Sequence, residues 1–392
     1  MKILIANVGS TSFKYKLLEM PEETTLAEGR IERIGDEEAP VEHRIGEQLF
    51  VKTCRMPDYP SAIKEVMTSL SDLITQPADL DAVGFKTVHL RGEPGTYLLN
   101  EDTLQRMADY NDLAPAHNPP YIQAIRIFHE LYPDLPLIGL FETAFHTTIP
   151  DYAYTYGLPY EWQEQYGVRK YGFHGASHRY VSQRVPELID TPVAGFKLVS
   201  CHLGGSASLC AIVDGCSIDT TMGFSAQDGL LNSTRNGSID PFIIPFMMDR
   251  ERFATSDIRE ILSKKSGLLG ISGLSGDMRD LQEAAQKGHR RAKLAVDAFC
   301  YGVKTQIAAM AAAMGGVDAI AFAGGIGERG ADVRMQVSKG LEFLGVCIDA
   351  TLNQQGPPER VISLPDPPVD VVIVQTNEEI IVARETARFL QA

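Results

Sequence analysis

The chain has 392 residues, 44% of them hydrophobic and 22% charged, which is typical of a globular protein with two or three domains. Its formal net charge of −15 argues against partners that attract basic surfaces, namely nucleic acids and anionic membranes. The six cysteines include no Cys-x-x-Cys pair, which argues against a disulfide framework. The sequence also has no signal-peptide pattern and no long apolar run, so we expect a cytoplasmic protein.

Two similar stretches begin the two halves of the chain. Residues 3–18 read as an apolar run, a turn of small residues and a second apolar run, and residues 199–213 repeat this pattern around Gly204, Gly205 and Ser206. Each predicts a strand, a tight turn and a strand. A plain β-hairpin is the alternative for either turn alone. Because the two turns lie half a chain apart, we expect an internal duplication and a clamp in which turn amides hold phosphate.

Polar residues follow two predicted buried strands in the first half. After further strands within 19–60 and a helix over 61–73, residues 82–89 predict a strand that carries Lys86 and His89 near its end. A second strand is predicted at 136–141, directly before Glu142. Residues that do chemistry cluster at such strand ends. The alternatives are a lysine that extends to solvent, a hydrogen-bonded core histidine and a solvated glutamate.

Three stretches of the second half predict site loops. Small residues around His174 and His178 predict a loop that enters a site, and Arg235 lies in a polar loop suited to phosphate or carboxylate. A surface salt bridge is the alternative for Arg235. A strand at 317–323 runs into a glycine loop at Gly324 and then a helix, an arrangement that often holds nucleotide phosphates. A last strand, 369–374, precedes residues 376–379 and a terminal helix.

These residues resemble the acetate kinase family from end to end. The motifs that carry the resemblance are NxGSxSxKY at 7–15, APxHNP at 114–119, FDTAFH with one difference at 141–146, YGFHGxSH at 171–178, CHLGxG with one difference at 201–206, GTRxGxIDP with one difference at 233–241, SGxSxDxRD at 272–280, GGIGE at 324–328 and TNEE at 376–379. The resemblance implies an α/β fold of two duplicated ribonuclease-H-like (actin-like ATPase) domains, with the active site in the cleft between them. The implied domains are 1–147 plus 380–392, and 148–379. The implied reaction is reversible phosphorylation of a short carboxylate to an acyl phosphate, with ATP and Mg²⁺, by a homodimer.

The resemblance also implies roles for individual residues. It places Mg²⁺ at Asn7 and Glu378, and it makes Glu142, His174 and Arg235 catalytic. The implied residues for binding ATP are His202, Leu203, Gly204, Gly205, Ser206, Asp277, Met278, Arg279, Gly325, Ile326, Gly327, Glu328 and Arg329. The implied residues around the carboxylate substrate are Lys86, Val88, Arg91, Ala116, Phe173 and Ala226, with His117 as a secondary site residue.

Several of these positions depart from the family pattern. Glu142 stands where the family has aspartate, Lys86 where it has arginine, and Gly205-Ser206 where it has Asn-Gly. Ala116 and Ala226 replace the usual leucine and proline, and Arg91 replaces a glycine. We therefore expect a carboxylate larger than acetate as the preferred substrate. The alternatives are a nucleotide-binding sensor of the same fold with little phosphotransfer, or a family kinase with a different phosphoryl donor.

Overall fold

The computed structural model describes residues 1–9, 11–90, 93–111 and 118–392. The chain divides into two compact units. Unit 1 comprises Met1–Ala144 and Asn377–Ala392, and unit 2 comprises Phe145–Thr376. Within the described ranges, no helix is both long enough and apolar enough to span a membrane.

Unit 1 is built on one eight-stranded sheet. Its strands are β1 (Lys2–Val8), β2 (Phe13–Glu19), β3 (Thr24–Ile31), β4 (Ala39–Ile45), β5 (Gln48–Cys54), β6 (Ala82–Thr87), β7 (Thr96–Leu98) and β8 (Leu137–Phe141). The strand order is β5-β4-β3-β2-β1-β6-β8-β7. Strands β1 to β5 form an antiparallel meander, whereas β1, β6 and β8 are parallel neighbours. Because the carboxyl ends of parallel strands meet at one edge, the residues after β1, β6 and β8 lie together.

Three helices cover one face of this sheet. They are α1 (Tyr59–Ser69), α2 (Glu101–Ala108) and α3 (Asn118–Leu131). The side chains of Asp58 and Asn100 accept the backbone N–H groups of Ser61 and Thr103, which fixes the first turns of α1 and α2. Alternate residues of β1, β2 and β6 join the buried core under these helices, as the period of two in a strand requires.

Unit 2 repeats the connectivity of unit 1 in a six-stranded sheet. Its strands are β9 (Lys197–Leu203), β10 (Ala207–Val213), β11 (Cys216–Thr220), β12 (Ala319–Ala323), β13 (Arg360–Val361) and β14 (Asp370–Ile373), in the order β11-β10-β9-β12-β14-β13. Strands β9 to β11 are antiparallel, and β9, β12 and β14 are parallel. In both units the first strand has its next two strands antiparallel on one side (β2 and β3, or β10 and β11) and two parallel strands on the other (β6 and β8, or β12 and β14). The predicted α/β duplication and both predicted hairpins are therefore confirmed.

The helices of unit 2 lie on both faces of its sheet. They are α4 (Asp151–Tyr154), α5 (Tyr160–Tyr166), α6 (Gly175–Leu188), α7 (Ile243–Glu251), α8 (Thr255–Lys264), α9 (Gly267–Ser272), α10 (Met278–Gln286), α11 (Arg290–Met314), α12 (Gly324–Arg329), α13 (Ala331–Ser338) and α14 (Ala350–Gln354). The long helix α11 and its neighbours bury one core, and α6 buries a second core against alternate residues of the same strands. Short 3₁₀ turns occur at Pro77–Asp79, Ala144–Thr148 and Glu342–Leu344.

The terminal helix α15 (Glu378–Gln391) belongs to unit 1. It packs on the sheet at Gly84, where a Cβ atom would lie 2.7 Å from Oγ1 of Thr386 and 3.0 Å from the side chain of Val382. The ion pair between Arg384 and Glu23 ties the same helix to the β2–β3 turn. These contacts fix the first residue of α15, Glu378, beside the edge at which β1, β6 and β8 end.

Two loop predictions are wrong. From Gly175 onward the predicted loop around His174 and His178 is helix α6, and His178 is fully buried on the side of the helix that faces the sheet. The burial is tolerated because two serine hydroxyls satisfy both ring nitrogens of His178. The residues predicted to form a glycine loop after β12 are helical, since α12 begins at Gly324 with Ala323 as its N-cap.

Candidate functional site

In unit 1, Lys86 lies between two carboxylates. Its Nζ is 3.3 Å from Oε1 of Glu142, which follows β8, and 2.5 Å from Oε2 of Glu378, which begins α15. Burial lowers the pKa of Lys86, but the two carboxylates outweigh burial, so the net pKa is raised well above its ordinary value. The ammonium is therefore charged and paired inside the protein. Glu142 is only 5% exposed, so the alternative of a solvated glutamate is wrong.

Asn7, at the end of β1, is held by a residue that sequence reasoning missed. The hydroxyl of Tyr121, on α3, donates to Oδ1 of Asn7 at 3.2 Å and accepts the backbone N–H of Val8 at 3.4 Å. Burial raises the pKa of Tyr121 to about 12, so the hydroxyl stays protonated and remains a donor. Tyr121 carries no motif of its own, and only the packing of α3 against β1 places it at the site. His89 is only 1% exposed, which supports the alternative that it is a core histidine.

The oxygen donors at this edge fit a magnesium ion that is shared with phosphates. Mg²⁺ is usually held by one or two protein oxygen ligands together with substrate phosphates and water. Asn7 and Glu378 are oxygen donors of this kind, and their role as the metal ligands stays a prediction. Across the described ranges, no group of three or more His, Cys, Asp and Glu side chains comes together as a metal cage.

In unit 2, the turn between β9 and β10 rests on the loop that carries Arg235. The N–H of Ala207 donates to Oδ1 of Asn232 at 2.6 Å, and the N–H of Ser233 donates to the carbonyl of Gly205 at 2.9 Å. Asn232 is 1% exposed and is a second residue that sequence reasoning missed. Its buried amide accepts from Ala207 and donates to the carbonyl of Leu230, so it fixes the loop against the turn.

Arg235 is a largely buried cation with neutral partners. Its Nη1 donates to Oγ of Ser206 at 3.1 Å and to the carbonyl of Ala226 at 3.4 Å. Burial lowers the pKa of Arg235, although arginine remains charged at neutral pH. No carboxylate pairs with Arg235 among the residues that the structure describes, so the alternative of a surface salt bridge is wrong. An uncompensated guanidinium beside a polar turn favours an anionic ligand.

His174 lies at the N-cap of α6 with a left-handed backbone, φ 56°. Non-glycine residues in this conformation cost about 1–3 kcal/mol, and such strain is concentrated at functional sites. The ring is fixed on two sides. Its Nδ1 lies 2.8 Å from Oγ of Ser208, and its face stacks on His202 with the ring centroids 4.2 Å apart. Gly172, just before it, has φ +77°, and any Cβ there would lie 2.6 Å from His146. His174 therefore presents its ring from a rigid frame.

The residues predicted to hold adenosine have local structural roles in unit 2. Asp277 caps α10 and pairs with the side chain of Arg279, and these hydrogen bonds lower the pKa of Asp277 to about 2. Met278 is buried in the core beside α11. In α12, Gly324 is required by the fold, because its φ is +73° and a Cβ would meet the carbonyl of Leu203 at 2.8 Å. Gly325 is exposed, and a Cβ there would approach only the flexible side chain of Arg329. Chain packing does not require this glycine, which leaves room for a ligand.

The remaining residues that are predicted to bind the nucleotide lie on the β9–β10 hairpin and on α12. Leu203 is buried at the end of β9, and Gly204 and Gly205 form the turn. Ile326 and Gly327 lie within α12, and Oε1 of Glu328 accepts the N–H of Thr376 at 3.4 Å. These assignments stay predictions.

The predicted acyl pocket is described only in part. Arg91, Ala116 and His117 lie outside the described residues. Val88 follows β6 in unit 1, whereas Phe173, 4% exposed, and Ala226 belong to unit 2. The pocket therefore stays a prediction.

Comparison with known proteins identifies the family of the chain. The family model described as the acetokinase family matches residues 2–384. An acetate kinase from Thermoanaerobacterium thermosaccharolyticum is 45% identical, and the alignment covers the whole of both chains. The solved structure of an acetate kinase from Porphyromonas gingivalis has a TM-score of 0.88 at 36% identity, with 99% of each chain covered. That of a propionate kinase from Francisella tularensis has a TM-score of 0.89 at 35% identity, with 98% of each covered. The predicted actin-like ATPase fold is confirmed, and the chain belongs to the acetokinase family.

Proposed function

We propose that the protein is a kinase that transfers the γ-phosphoryl group of ATP to a short carboxylate, acetate or propionate, and forms an acyl phosphate reversibly. Two predicted catalytic residues contact one hairpin of unit 2, Arg235 at Ser206 and His174 at Ser208. This placement of a guanidinium and an imidazole on one hairpin is the observation that carries the proposal. The names of the relatives, which are acetate and propionate kinases, support the same chemistry.

Phosphoryl transfer needs positioned charge more than covalent help. In this proposal Arg235 and His174 bind the equatorial oxygens of the phosphoryl group, and the β9–β10 turn binds the ATP phosphates. Asp277 to Arg279 and Gly325 to Arg329 hold adenosine. Mg²⁺ at Asn7 and Glu378 supplies charge neutralisation on the phosphates. Lys86 and Glu142 serve the carboxylate acceptor.

The alternatives from the sequence are less well supported. A sensor with little phosphotransfer, or a kinase with another phosphoryl donor, is not favoured, because the curated relatives that match over their full length carry the name acetate kinase. The proposal also includes a cytoplasmic homodimer. Exposed apolar side chains on and beside α7, namely Phe242, Ile243 and Phe246, support an association surface in unit 2.

The test is a hydroxamate assay for acyl phosphate with ATP and Mg²⁺ over acetate, propionate, butyrate and a hydroxy acid. We expect product with acetate or propionate. Arg235→Ala should lower kcat by roughly 10²-fold or more, because a positioned transition-state donor is lost, while thermal unfolding stays near the parent's. Arg290→Ala, an exposed arginine on α11, is the matched control and should keep parental activity. Full activity in a normally folded Arg235→Ala variant contradicts the proposal.

The preference for a larger carboxylate is tested in the same panel. Each extra buried methylene contributes about 0.8 kcal/mol, or about fourfold in affinity. If Ala116 and Ala226 leave space, kcat/KM should rise from acetate to propionate, and Ala116→Leu should reverse the order. A preference for acetate that Ala116→Leu does not change shows that there is no such space.

A further inference from the structure

A chain of buried hydroxyls and imidazoles in unit 2 leads to His174. Oγ of Ser208, on β10, lies 2.8 Å from Nδ1 of His174 and 2.8 Å from Nε2 of His178. Nδ1 of His178 lies 2.9 Å from Oγ of Ser200, on β9. His178, Ser200 and Ser208 are all 0% exposed, so solvent water does not reach these hydrogen bonds.

The proton count of this chain limits its arrangements. A serine hydroxyl has one proton, so Ser208 donates to only one of the two rings and accepts from the other. Burial holds the pKa of His178 well below its ordinary value, so this ring is neutral and has one N–H. Two arrangements keep all three hydrogen bonds: in one the donors run from Ser200 to His174, and in the other they run in the reverse direction.

Ser200 decides between the two orders. If Ser200 donates to His178, the protons of Ser200, His178 and Ser208 all have acceptors. His178 then donates from Nε2 to Ser208, and Ser208 donates to Nδ1 of His174. In the reverse order Ser200 accepts from His178, and its own proton has no acceptor among the described residues. A buried hydroxyl without an acceptor is destabilising, so the forward order is favoured.

We propose that His178 and Ser208 are positioning residues that hold His174 in one tautomer, with its proton on Nε2. In the forward order Nδ1 of His174 accepts from Ser208, so the ring N–H must be at Nε2. The stack on His202, whose Nδ1 is bonded to Oγ of Ser177 at 2.7 Å, fixes the plane of the same ring. His174 thus meets a ligand oxygen as a hydrogen-bond donor. The catalytic consequence rests on the proposed function, which places this donor against the phosphoryl oxygens.

The tautomer is measurable in the protein without substrate. Long-range ¹H–¹⁵N spectra of histidine-labelled protein distinguish protonated from unprotonated ring nitrogens, and the signals of His174 are assigned by their loss in His174→Asn. In the parent we expect His174 to be protonated at Nε2. In Ser208→Ala, which removes the bridge, His174 should become a mixture of both tautomers. Ser208→Cys, which keeps a similar volume with only a weak donor, should change the tautomer in the same direction and serves if the alanine variant fails to fold.

Ser217→Ala is the matched control. Ser217 is also a fully buried strand serine, and its Oγ is bonded to Nδ1 of a buried histidine, His146, at 2.9 Å. It lies outside the chain that leads to His174. Ser217→Ala should therefore keep the parental tautomer of His174 and a kcat within about twofold of the parent's.

Kinetics separate this inference from the proposed function. Ser208→Ala should lower kcat roughly tenfold, which corresponds to about 1.4 kcal/mol, with the KM for ATP within about twofold. If His174 keeps its parental tautomer in Ser208→Ala, or if the parent is protonated at Nδ1 of His174, the proposed positioning of His174 by Ser208 is overturned. A changed tautomer with an unchanged kcat supports the positioning of His174 by Ser208 and overturns the role that the proposed function gives His174.

Discussion

Lys86 and Glu142, two departures from the family pattern, form an ion pair with each other. Lysine is shorter than the arginine that it replaces, and Glu142 is one methylene longer than the aspartate that it replaces. The ammonium of Lys86 and the carboxylate of Glu142 lie 3.3 Å apart. The second partner of Lys86, Glu378, anchors the same ammonium from α15. We therefore expect the two substitutions to depend on each other, so that either one alone would disturb the ion pair.

A double-mutant cycle tests this dependence. Lys86→Arg alone crowds the longer Glu142, and Glu142→Asp alone withdraws the carboxylate from Lys86. Each should lower kcat/KM roughly tenfold. In the double variant the lengths match again, so its activity should exceed the product of the two single effects by a coupling of about 0.5–3 kcal/mol. The measurement is kcat/KM for the carboxylate in all four proteins. Additive losses would show that the two side chains act independently.

Among the elements, α12 owes its position to a buried arginine. The guanidinium of Arg334, on α13, donates to the carbonyls of Gly327 and Glu328 at 2.7 and 2.9 Å. It also donates to Oδ1 and to the backbone carbonyl of Asn353, on α14. Arg334 is 1% exposed, and burial lowers its pKa to about 10. It satisfies helix-end carbonyls that would otherwise be buried without donors.

Loss of this arginine should loosen α12. In Arg334→Met the apolar stem is retained but four hydrogen bonds from a charged group are lost, and each such bond contributes about 1.5–3 kcal/mol. We expect a clearly lower thermal midpoint and a smaller stabilisation by ATP with Mg²⁺. Arg334→Lys keeps the charge without the planar fork and should recover only part of the loss. Unfolding is followed by thermal melts with and without nucleotide. A parental melt and a parental nucleotide response in Arg334→Met would rule out this anchoring role.

The elements also show what sequence reasoning can reach. The β1–β2 and β9–β10 hairpins are visible from apolar runs around small-residue turns, since local pattern decides them. Tyr121, Asn232, Ser208 and Arg334 were missed because each gains its role from a distant element, and no local spacing signals it. His178 was misread for the same reason: small neighbours indicate a loop until two buried serines on β9 and β10 make its burial tolerable. The order of strands in each sheet likewise depends on long-range pairing.

On the scale of the whole molecule, the two units share strand connectivity but differ in the chemistry that follows their strands. Unit 1 brings Asn7, Lys86 and Glu142 to the edge of its sheet, whereas unit 2 buries histidines and serines around His174. The two units should therefore respond differently to acid. Lys86 does not titrate near neutral pH, because its pKa is raised well above the ordinary value and its stabilising charge is lost only as the pH rises beyond that ordinary value.

Unit 2 should lose stability as the pH falls from about 6.5 towards 4. Burial lowers the pKa of His146 to about 4 and holds that of His178 well below its ordinary value. An unfolded histidine has a pKa of about 6.5. In this window the unfolded chain binds more protons than the folded chain, so the free energy of unfolding falls with decreasing pH by about 1.4 kcal/mol per unit for each such histidine.

The single tryptophan, Trp162, lies in unit 2 and reports its unfolding by fluorescence. Urea titrations between pH 7.5 and 5 should show this slope in the parent. Nε2 of His146 faces the carbonyl of Phe173 at 3.0 Å, so it is the ring nitrogen that carries the proton, and the amide of a glutamine can replace this donor without titrating. His146→Gln should therefore be less stable at pH 7.5. Its free energy of unfolding should depend less steeply on pH, by about the contribution of one histidine. An equal slope in parent and variant would show that His146 is protonated in the folded protein and that acid destabilises unit 2 through other groups.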